Sequence, residues 1–593
     1  MIPTIVLKFG SSVLQRPRDL QQAIHEIYRF KRDGYNVLAV VSAIGDTTDN
    51  LVAEARRFSD SPDPVAEAYL LASGEQQSAA LLTVAANSAG VPARTIDPRE
   101  FDFVAEGDVL DAAPCGIDTL KLKSRFADGK VLILPGFFAG HKEHGIALLG
   151  RGGSDFSAVY LAAQLGPSKN GAPTRCRLLK DVDGLYERDP ALIGADGIAP
   201  KRFDFITWDE AIELASQLVQ PKAVRFAKAQ AQELEVACCG KNRATIIGAA
   251  ASEKLSNPAD LAPIRIALMG LGTVGRALYD HLVGMPDVFE VVGIAVRDKK
   301  KHIDAGIPEN LIVSNAQGLF ARDPQILVEA AGGIDPAYSI IKRALENGIH
   351  VASANKQVIA ERGVEFARLA AENGAQILYS AAVGGAVPII ESIDLQQPGS
   401  IARVDGVVNG TTNFIIDQLA NGLSYPDALR QAQDKGFAEA DPTADVEGFD
   451  AQAKIKICAR HAFGVELEDE NIDRTGITQL SPNDIITAAK SGKKYRHVAR
   501  CWLEDGTPKA SIKPEVLDQS DILASAVNEG NCAVITLSDG QVINLSGKGA
   551  GAGPTAEAVL ADVMDVKRLL ARQRADMARA GQVKAETTVA AAL

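Results

Sequence analysis

Twice in this chain a short apolar strand runs straight into a glycine and then a helix: TIVLKFG at 4–10 and IRIALMG at 264–270. That succession opens a βα unit, and repeated βα units build a parallel sheet with helices on its faces. Both openings begin such a series. In the first, strands are expected at 36–42, 130–134 and 174–179, with helices at 18–32, 74–89 and 155–165. In the second, strands are expected at 289–296, 326–330 and 350–352, with the first helix at 276–282. From residue 400 the text changes to longer helices and later alternating runs such as CAVITL at 532–537, the mark of a separate α+β domain. The small, polar stretch at 249–263, with two prolines, fits a linker. A length of 593 residues also exceeds what one hydrophobic core can serve.

The chain carries 62 basic and 75 acidic residues, a net charge of −13, with no dense Lys/Arg block. That balance argues against nucleic acid or an anionic membrane as partner and points to small molecules. Seven cysteines lie scattered without CxxC or ligand-spaced Cys/His sets, so neither a disulfide framework nor a zinc site is suggested. No run of about 18 apolar residues occurs, and the N-terminal text lacks a cleavage signal, so a cytoplasmic location is expected.

GLGTVG at 270–275 lies between an apolar strand and a helix. Glycine allows the tight turn and the close approach of backbone to a pyrophosphate, and the helix N-terminus supplies oriented N–H donors. Gly270, Gly272, Thr273, Val274 and Gly275 are therefore expected to meet a nicotinamide dinucleotide. The second strand of this series ends on Arg297, with Lys299, Lys300 and Lys301 close behind, where a ribose-binding carboxylate would otherwise stand. A guanidinium there suits a 2′-phosphate, which favours NADP over NAD, while a solvated basic loop is the plainer alternative. One helix face further on aligns Asp450 with Lys454 at i,i+4, beside an apolar stripe of Phe449, Ala453 and Ile457. Reduction of an aldehyde leaves an alkoxide in need of a proton, and Lys454, steered by Asp450, is a natural donor, while spacing alone equally describes an exposed i,i+4 ion pair, the plainer alternative. Glu439, in the loop before this helix, can hold a substrate ammonium.

HVASANK at 350–356, AVGGAVP at 382–388, VNGTTNF at 408–414, the segment 436–454 and GKGAGAGPT at 547–555 resemble homoserine dehydrogenase signatures, in that family's order. The resemblance spans 264 to about 570. It implies Lys454 as proton donor, Glu439 and Asp450 as substrate ligands, Lys356 as a second cation near substrate and nicotinamide, and Gly549 on the cofactor side. It also implies a homo-oligomer joined through the domain from 400 onward. The family's acidic residue before the VGG turn is Ser380 here, and the resemblance leaves only backbone carbonyls near Val383 for a monovalent cation.

KFGSSV at 8–13, VSAIGDTTD at 41–49, SGE at 73–75, GRGGSD at 150–155 and DVDGLY at 181–186 resemble the amino acid kinase superfamily, aspartate kinase above all. Backbone N–H groups at Gly10, Ser11 and Ser12 would cradle phosphate, and Lys8 would neutralise the moving group. Arg151 would fork the substrate α-carboxylate, with Glu75 and Thr48 seating the rest of the substrate. Asp155 would order the phosphate-contacting cations, while Asp181 and Tyr186 line the nucleotide side, with ATP and Mg2+ as cofactors. Gln217 stands where the family's KVLHP lysine would be, leaving Lys180 or Lys222 as stand-ins. Two readings stay open: a working aspartate kinase, or a non-catalytic assembly or sensing module.

The expected layout is thus α/β throughout: an amino-acid-kinase-like three-layer fold at 1–250, a linker at 251–263, and a Rossmann domain at 264–399. An α+β substrate and dimerisation domain at 400–548 follows, then a segment returning to the Rossmann domain at 549–573 and a tail at 574–593. No internal stretch is left for the paired regulatory domains usual in aspartate kinases, so feedback through them is not expected. The expected substrates are aspartate for the first half and aspartate 4-semialdehyde with homoserine for the second.

Overall fold

The computed structural model describes residues 2–167, 173–188, 200–214, 218–240, 244–255, 263–286, 288–313, 315–528, 530–549 and 551–570. Gln217 and the expected tail at 574–593 lie outside these. The chain forms two compact units, Met1–Ala259 and Asp260–Leu593.

The first unit is built on nine strands in the order Glu253–Leu255, Arg202–Thr207, Ala244–Gly248, Leu234–Cys238, Arg175–Lys180, Thr4–Phe9, Asn36–Val41, Val131–Pro135, Ala93–Thr95. The five strands from Leu234–Cys238 to Val131–Pro135 run parallel. Thr4–Phe9 is buried along nearly its whole length, which suits its mainly apolar text, and Lys8 is buried with the rest. Val6, Leu38, Val40 and Leu178 share a core with Val159 and Leu161 of the helix Gly153–Leu165. A four-stranded sheet, Asp111–Gly116 to Gly145–Leu148, completes the unit.

Two sequence expectations need correcting here. The helix expected from 74 begins ten residues earlier, as Pro64–Ser88: Asp63 caps it by accepting from the Ala66 N–H at 2.9 Å, and Pro64 takes the first helical position. The stretch read as linker opens with the strand Glu253–Leu255, paired antiparallel to Arg202–Thr207. An edge strand needs only backbone N–H and C=O groups on one side, so its polar composition is no obstacle.

In the second unit six parallel strands lie in the order Ile312–Val313, Phe289–Ala295, Ile264–Met269, Ile326–Glu329, His350–Ser353, Ile377–Leu378. In chain order this is 3-2-1-4-5-6, a doubly wound sheet whose direction of winding reverses between Ile264–Met269 and Ile326–Glu329. A second six-stranded sheet, mainly antiparallel, runs Ile472–Arg474, Thr507–Asp518, Lys493–Glu504, Ile401–Val407, Gly530–Leu537, Val542–Lys548. The helix Phe449–Phe463 packs on its inner face, Ile457, Cys458 and Ala459 joining Val404, Cys501 and Ile535 in one core. A last helix, 552–570, packs Val559, Val563 and Val566 against Ile266, Leu268 and Val328 of the parallel sheet. Among the described residues no helix is long and apolar enough to cross a membrane.

Candidate active sites

The glycine turn occupies the point where the parallel sheet reverses. Gly270 has φ +94°, and a Cβ there would come within 2.7 Å of Ala331 Cα. A Cβ on Gly275 would lie 2.3 Å from the Gly270 carbonyl oxygen, so this glycine lets the helix Thr273–Val283 press against the turn. Gly272 faces open space and caps that helix without any side chain, leaving the N–H groups around Thr273 and Val274 for a ligand. This is the cradle a pyrophosphate needs. The helix starts at Thr273 rather than 276, which brings its N-terminus up to the glycines. Arg297 is exposed just past the strand Phe289–Ala295, and Lys299–Asp304 is a short helix capped by Asp298.

Glu329 ends the fourth strand in sheet order, fully buried. It accepts from the N–H groups of Ala331 (2.9 Å) and Gly332 (3.2 Å) and from Ser353 Oγ at 2.8 Å. Burial raises its pKa. Its carboxyl thereby ties the turn beside Gly270 to the one preceding Asn355, the N-cap of the helix Lys356–Glu372. Lys356 opens that helix, and its ammonium pairs with Asp450 Oδ1. The other carboxylate oxygen, Oδ2, takes Lys454 Nζ at 2.8 Å and Asn409 Nδ2 at 2.9 Å. Lys454 also donates to the Val408 carbonyl at 2.6 Å.

Asp450 and Lys454 are 5% and 9% exposed, so this is a buried group of charges and not a surface i,i+4 pair. Burial pushes the Asp450 carboxyl up, but the Lys454 and Lys356 ammoniums overcome that and hold it well below the usual carboxylate range. Burial lowers the Lys454 pKa, while Asp450 raises that of Lys356. Glu439 is exposed in the approaching loop and adds to the field at Lys356. Asp445, within reach of Asn409 Nδ2 at 2.7 Å, has its pKa raised by burial and by neighbouring Asp450.

The apolar stripe differs from expectation at one end. Phe449 is 47% exposed, with the Arg474 guanidinium 3.3 Å from its ring centre, and Ile455 joins Ile457 in the core instead. A large ring at the first turn can trade burial for a cation on its face.

The VGG turn is tied to the last segment from two directions. The Ser380 N–H and Oγ donate to buried Asp562 of helix 552–570 at 3.1 and 2.6 Å, and the Ala386 N–H donates to the Lys548 carbonyl at 3.1 Å. Val383 is buried in this turn. A buried carboxylate thus meets Ser380 from 182 residues away. Gly549 follows directly on Lys548, and the segment brings it against Gly385: a Cβ on Gly385 would lie 2.5 Å from the Gly549 carbonyl oxygen.

The first unit repeats the charge arrangement. Asp155 Oδ1 pairs with Lys8 Nζ at 2.8 Å and Oδ2 with Lys180 Nζ at 2.9 Å, all three side chains buried. Against the upward push of burial, the two ammoniums bring Asp155 down to about 2. Lys180 is lowered by burial. Lys222 instead donates to Asp111 and to the Leu149 carbonyl, so of the two candidate stand-ins for Gln217 only Lys180 meets Lys8 and Asp155. Glu75, buried against Ser154 Oγ at 3.4 Å, is pushed by burial up to about 7. Gly10 follows the strand bearing Lys8, its carbonyl accepting from the Val13 and Leu14 N–H groups, with Ser11 exposed and Ser12 half-buried. Arg151 is exposed between Gly150 and Gly152, both at positive φ, and Thr48 is half-buried near the start of the helix Thr47–Phe58. Asp181 is exposed, and the Tyr186 hydroxyl donates to Asp183 at 2.6 Å.

Glu329, Asn409 and Asp445 were not singled out from sequence. A lone carboxylate closing the apolar strand ILVE was the available signal for Glu329. For Asn409 it was the side chain's position just ahead of a helix, where it accepts from the Thr412 N–H at 2.9 Å.

Comparison with known proteins agrees with this anatomy. Residues 270–380 match the NAD-binding domain of homoserine dehydrogenase, 388–564 match homoserine dehydrogenase, and 3–238 match the amino acid kinase family. A homoserine dehydrogenase of Mycobacterium tuberculosis is 34% identical over 329 residues, covering 52% of this chain and 74% of the relative. One from Corynebacterium glutamicum is 37% identical over 325 residues, 51% of this chain and 72% of the relative. A crystal structure of a homoserine dehydrogenase from Thiobacillus denitrificans aligns at 32% identity with a TM-score of 0.49, over 52% of this chain and 74% of that one. With a dinucleotide cradle where the parallel sheet reverses, and buried Asp450 and Lys454 joined to Lys356, the chain belongs to the homoserine dehydrogenase family and carries an amino acid kinase domain ahead of the dehydrogenase.

Proposed function

We propose that the second unit interconverts aspartate 4-semialdehyde and homoserine with Lys454 as the proton donor, and that the observation carrying this is the Lys454–Asp450–Lys356 group. An ammonium has three N–H bonds. Lys454 commits one to Asp450 and one to Val408, which leaves the third for a substrate oxygen. Glu439 holds the substrate ammonium, and Asp450 keeps both lysines charged and apart. The glycine turn would hold the pyrophosphate of a reduced nicotinamide dinucleotide, which would supply the hydride. Lys454 delivers a proton to the resulting alkoxide and takes it back in the reverse direction. Arg297 supports a preference for NADP, since its exposed guanidinium stands at the end of the strand where a 2′-phosphate would lie. Homoserine-dependent reduction of NADP is expected to fall at least about a hundred-fold in Lys454→Ala. An undiminished rate would end the assignment.

For the first unit the reading is phosphorylation of the aspartate side-chain carboxylate by ATP. Lys8 and Lys180, bridged by Asp155, give a buried net positive charge for the transferred phosphoryl group, while Glu75, Arg151 and Thr48 seat the amino acid and Asp181 and Tyr186 the nucleotide. Mg2+ would arrive on the nucleotide phosphates; the described residues hold no cluster of three His, Cys, Asp or Glu suited to a metal. Hydroxylamine trapping of the acyl phosphate, with Lys8→Ala as control, tests this. No product above that control would leave the domain as an assembly or sensing module.

Two further elements belong to the same reading. A monovalent cation is held by backbone carbonyls near Val383, with Asp562 supplying the buried carboxylate beside Ser380. The protein is a homo-oligomer joined through the outer face of the antiparallel sheet, where Arg403, Arg500, Trp502, Leu503 and Thr536 line a shallow pocket. Light scattering of the purified full chain checks the second point.

A further inference from the structure

Val408 is the one backbone acceptor of Lys454 among the described residues, and a second side chain holds the same carbonyl. Asn531 Nδ2 donates to the Val408 oxygen at 3.3 Å, while Lys454 Nζ donates to it at 2.6 Å. Asn531 is 3% exposed. Its amide lies flat on the backbone of Gly549, where a Cβ would sit 1.8 Å from Nδ2 and 1.9 Å from Cγ. Asn531 therefore joins the acceptor of Lys454 to the segment that also packs on Gly385 and the VGG turn.

The amide is costly where it is. Its Oδ1 is buried and has no hydrogen-bond partner among the described residues. Leaving a buried acceptor unpaired costs about 1–3 kcal/mol, and an apolar side chain of the same volume would avoid that cost. A residue that weakens the fold, yet directs its one productive hydrogen bond at the carbonyl holding the proton donor, points to a role in the reaction.

We infer that Asn531 is a positioning residue for the dehydrogenase: it fixes the Val408 carbonyl so that the third N–H of Lys454 is aimed at the substrate oxygen. This rests on the assignment of Lys454 as proton donor. Asn531 touches neither substrate nor the reacting atoms, and acts through Val408.

The test uses the full chain, with homoserine and NADP. Asn531→Leu keeps the branched outline of the side chain, removes the donor and removes the unpaired oxygen. Its thermal midpoint should equal or exceed that of the parent while kcat falls about ten-fold, the worth of one oriented hydrogen bond, with the KM for homoserine changed less than about two-fold. Asn531→Asp places a carboxylate within about 6 Å of the Lys454 ammonium, which stabilises the charged amine. The pH midpoint assigned to Lys454 in the kcat profile should rise by about one unit. An Asn531→Leu protein that loses stability and keeps its kcat per folded molecule would overturn the inference, as would an unmoved midpoint in Asn531→Asp. If Asn531→Asp does not fold, Asn531→Leu decides alone. Lys454→Ala is measured alongside: if it stays active, the donor assignment fails, whereas inactive Lys454→Ala with unaffected Asn531 variants removes only the role of Asn531.

Discussion

Replacing Asp450 with asparagine is the sharpest probe of how the dehydrogenase site holds its charges. The carboxylate is 5% exposed and is shared by Lys454, Lys356 and Asn409. Removing one member of a buried ion pair costs about 3–5 kcal/mol, because the partner is left charged without compensation. Lys356 is partly exposed and can turn to water, so most of that cost falls on Lys454. With one pKa unit worth 1.36 kcal/mol, the Lys454 ammonium should lose about two to three units of pKa, on top of the lowering that burial already imposes. In the reductive direction the ammonium is the active form, so activity is high below its pKa and falls above it. In the oxidative direction the free amine is needed, and activity rises through the same pKa. Both midpoints should move to lower pH together in Asp450→Asn, as read from kcat/KM for semialdehyde and for homoserine between about pH 6 and 10. At pH above the parent midpoint the reductive rate should fall about a hundred-fold, and the oxidative rate should suffer less. If the protein folds and both midpoints stay where they are in the parent, the reasoning is refuted, since the carboxylate would then not be setting the proton affinity of Lys454.

Other outcomes follow from the same geometry. Arg297→Glu should lower the ratio of NADP to NAD in kcat/KM by at least about ten-fold, the worth of one charge-assisted hydrogen bond, and an unchanged ratio would make the 297–301 cluster a solvated basic surface. Lys180→Met should reduce acyl-phosphate formation about a hundred-fold while Lys222→Met leaves it within a few-fold; equal losses would contradict the assignment of Lys180 as the replacement for the lysine missing at 217. Glu75, raised by burial from 4.5 to about 7, binds its proton more tightly folded than unfolded, so its contribution to stability is full below about pH 4.5 and is lost as pH rises to 7. That is roughly 3 kcal/mol. Glu75→Gln should flatten the decline of the ATP-sensitive thermal transition between about pH 5 and 8, and an identical decline would refute the burial argument.

Much of the fold was legible because it repeats one pattern. The strands observed at Asn36–Val41, Val131–Pro135 and Phe289–Ala295 depart from expectation by no more than one residue at either end, since each is a short apolar run bounded by turn residues. The helix begins at Pro64, where Asp63 and Pro64 announce it, and Gly74 lies inside it rather than at its start. The strand at Glu253–Leu255 has no such local signal: an edge pairing is decided by what lies beside it, which local composition does not reveal. In the sites, contacts within one helix were readable and contacts across the fold were not. Asp450 and Lys454 share a helix face at i,i+4, where spacing alone favours an exposed ion pair and the 436–454 segment favours a site, whereas Lys180 meets Asp155 only because the strand Arg175–Lys180 pairs in register with Thr4–Phe9. Asp562 and Ser380 are farther apart still, joined only when the last helix returns to the parallel sheet.

The two units reach the same electrostatic arrangement on unrelated sheets: one buried carboxylate between two lysines, Asp155 with Lys8 and Lys180, Asp450 with Lys356 and Lys454. Two ammoniums alone could not stay charged at such burial, because desolvation and mutual repulsion would both drive one of them to lose its proton. One lysine paired with one carboxylate would stay charged but present no net field to a substrate. Three groups solve both problems at once. The carboxylate stabilises each ammonium, and the sum remains positive where the proposed reactions would gather negative charge on a phosphoryl group or an alkoxide. The carboxylate, and not either lysine, is then the group each site can least do without, so Asp155→Asn should impair phosphoryl transfer more than Lys180→Met does. Were the lysine variant the more damaging, Asp155 would be only a scaffold for Lys8.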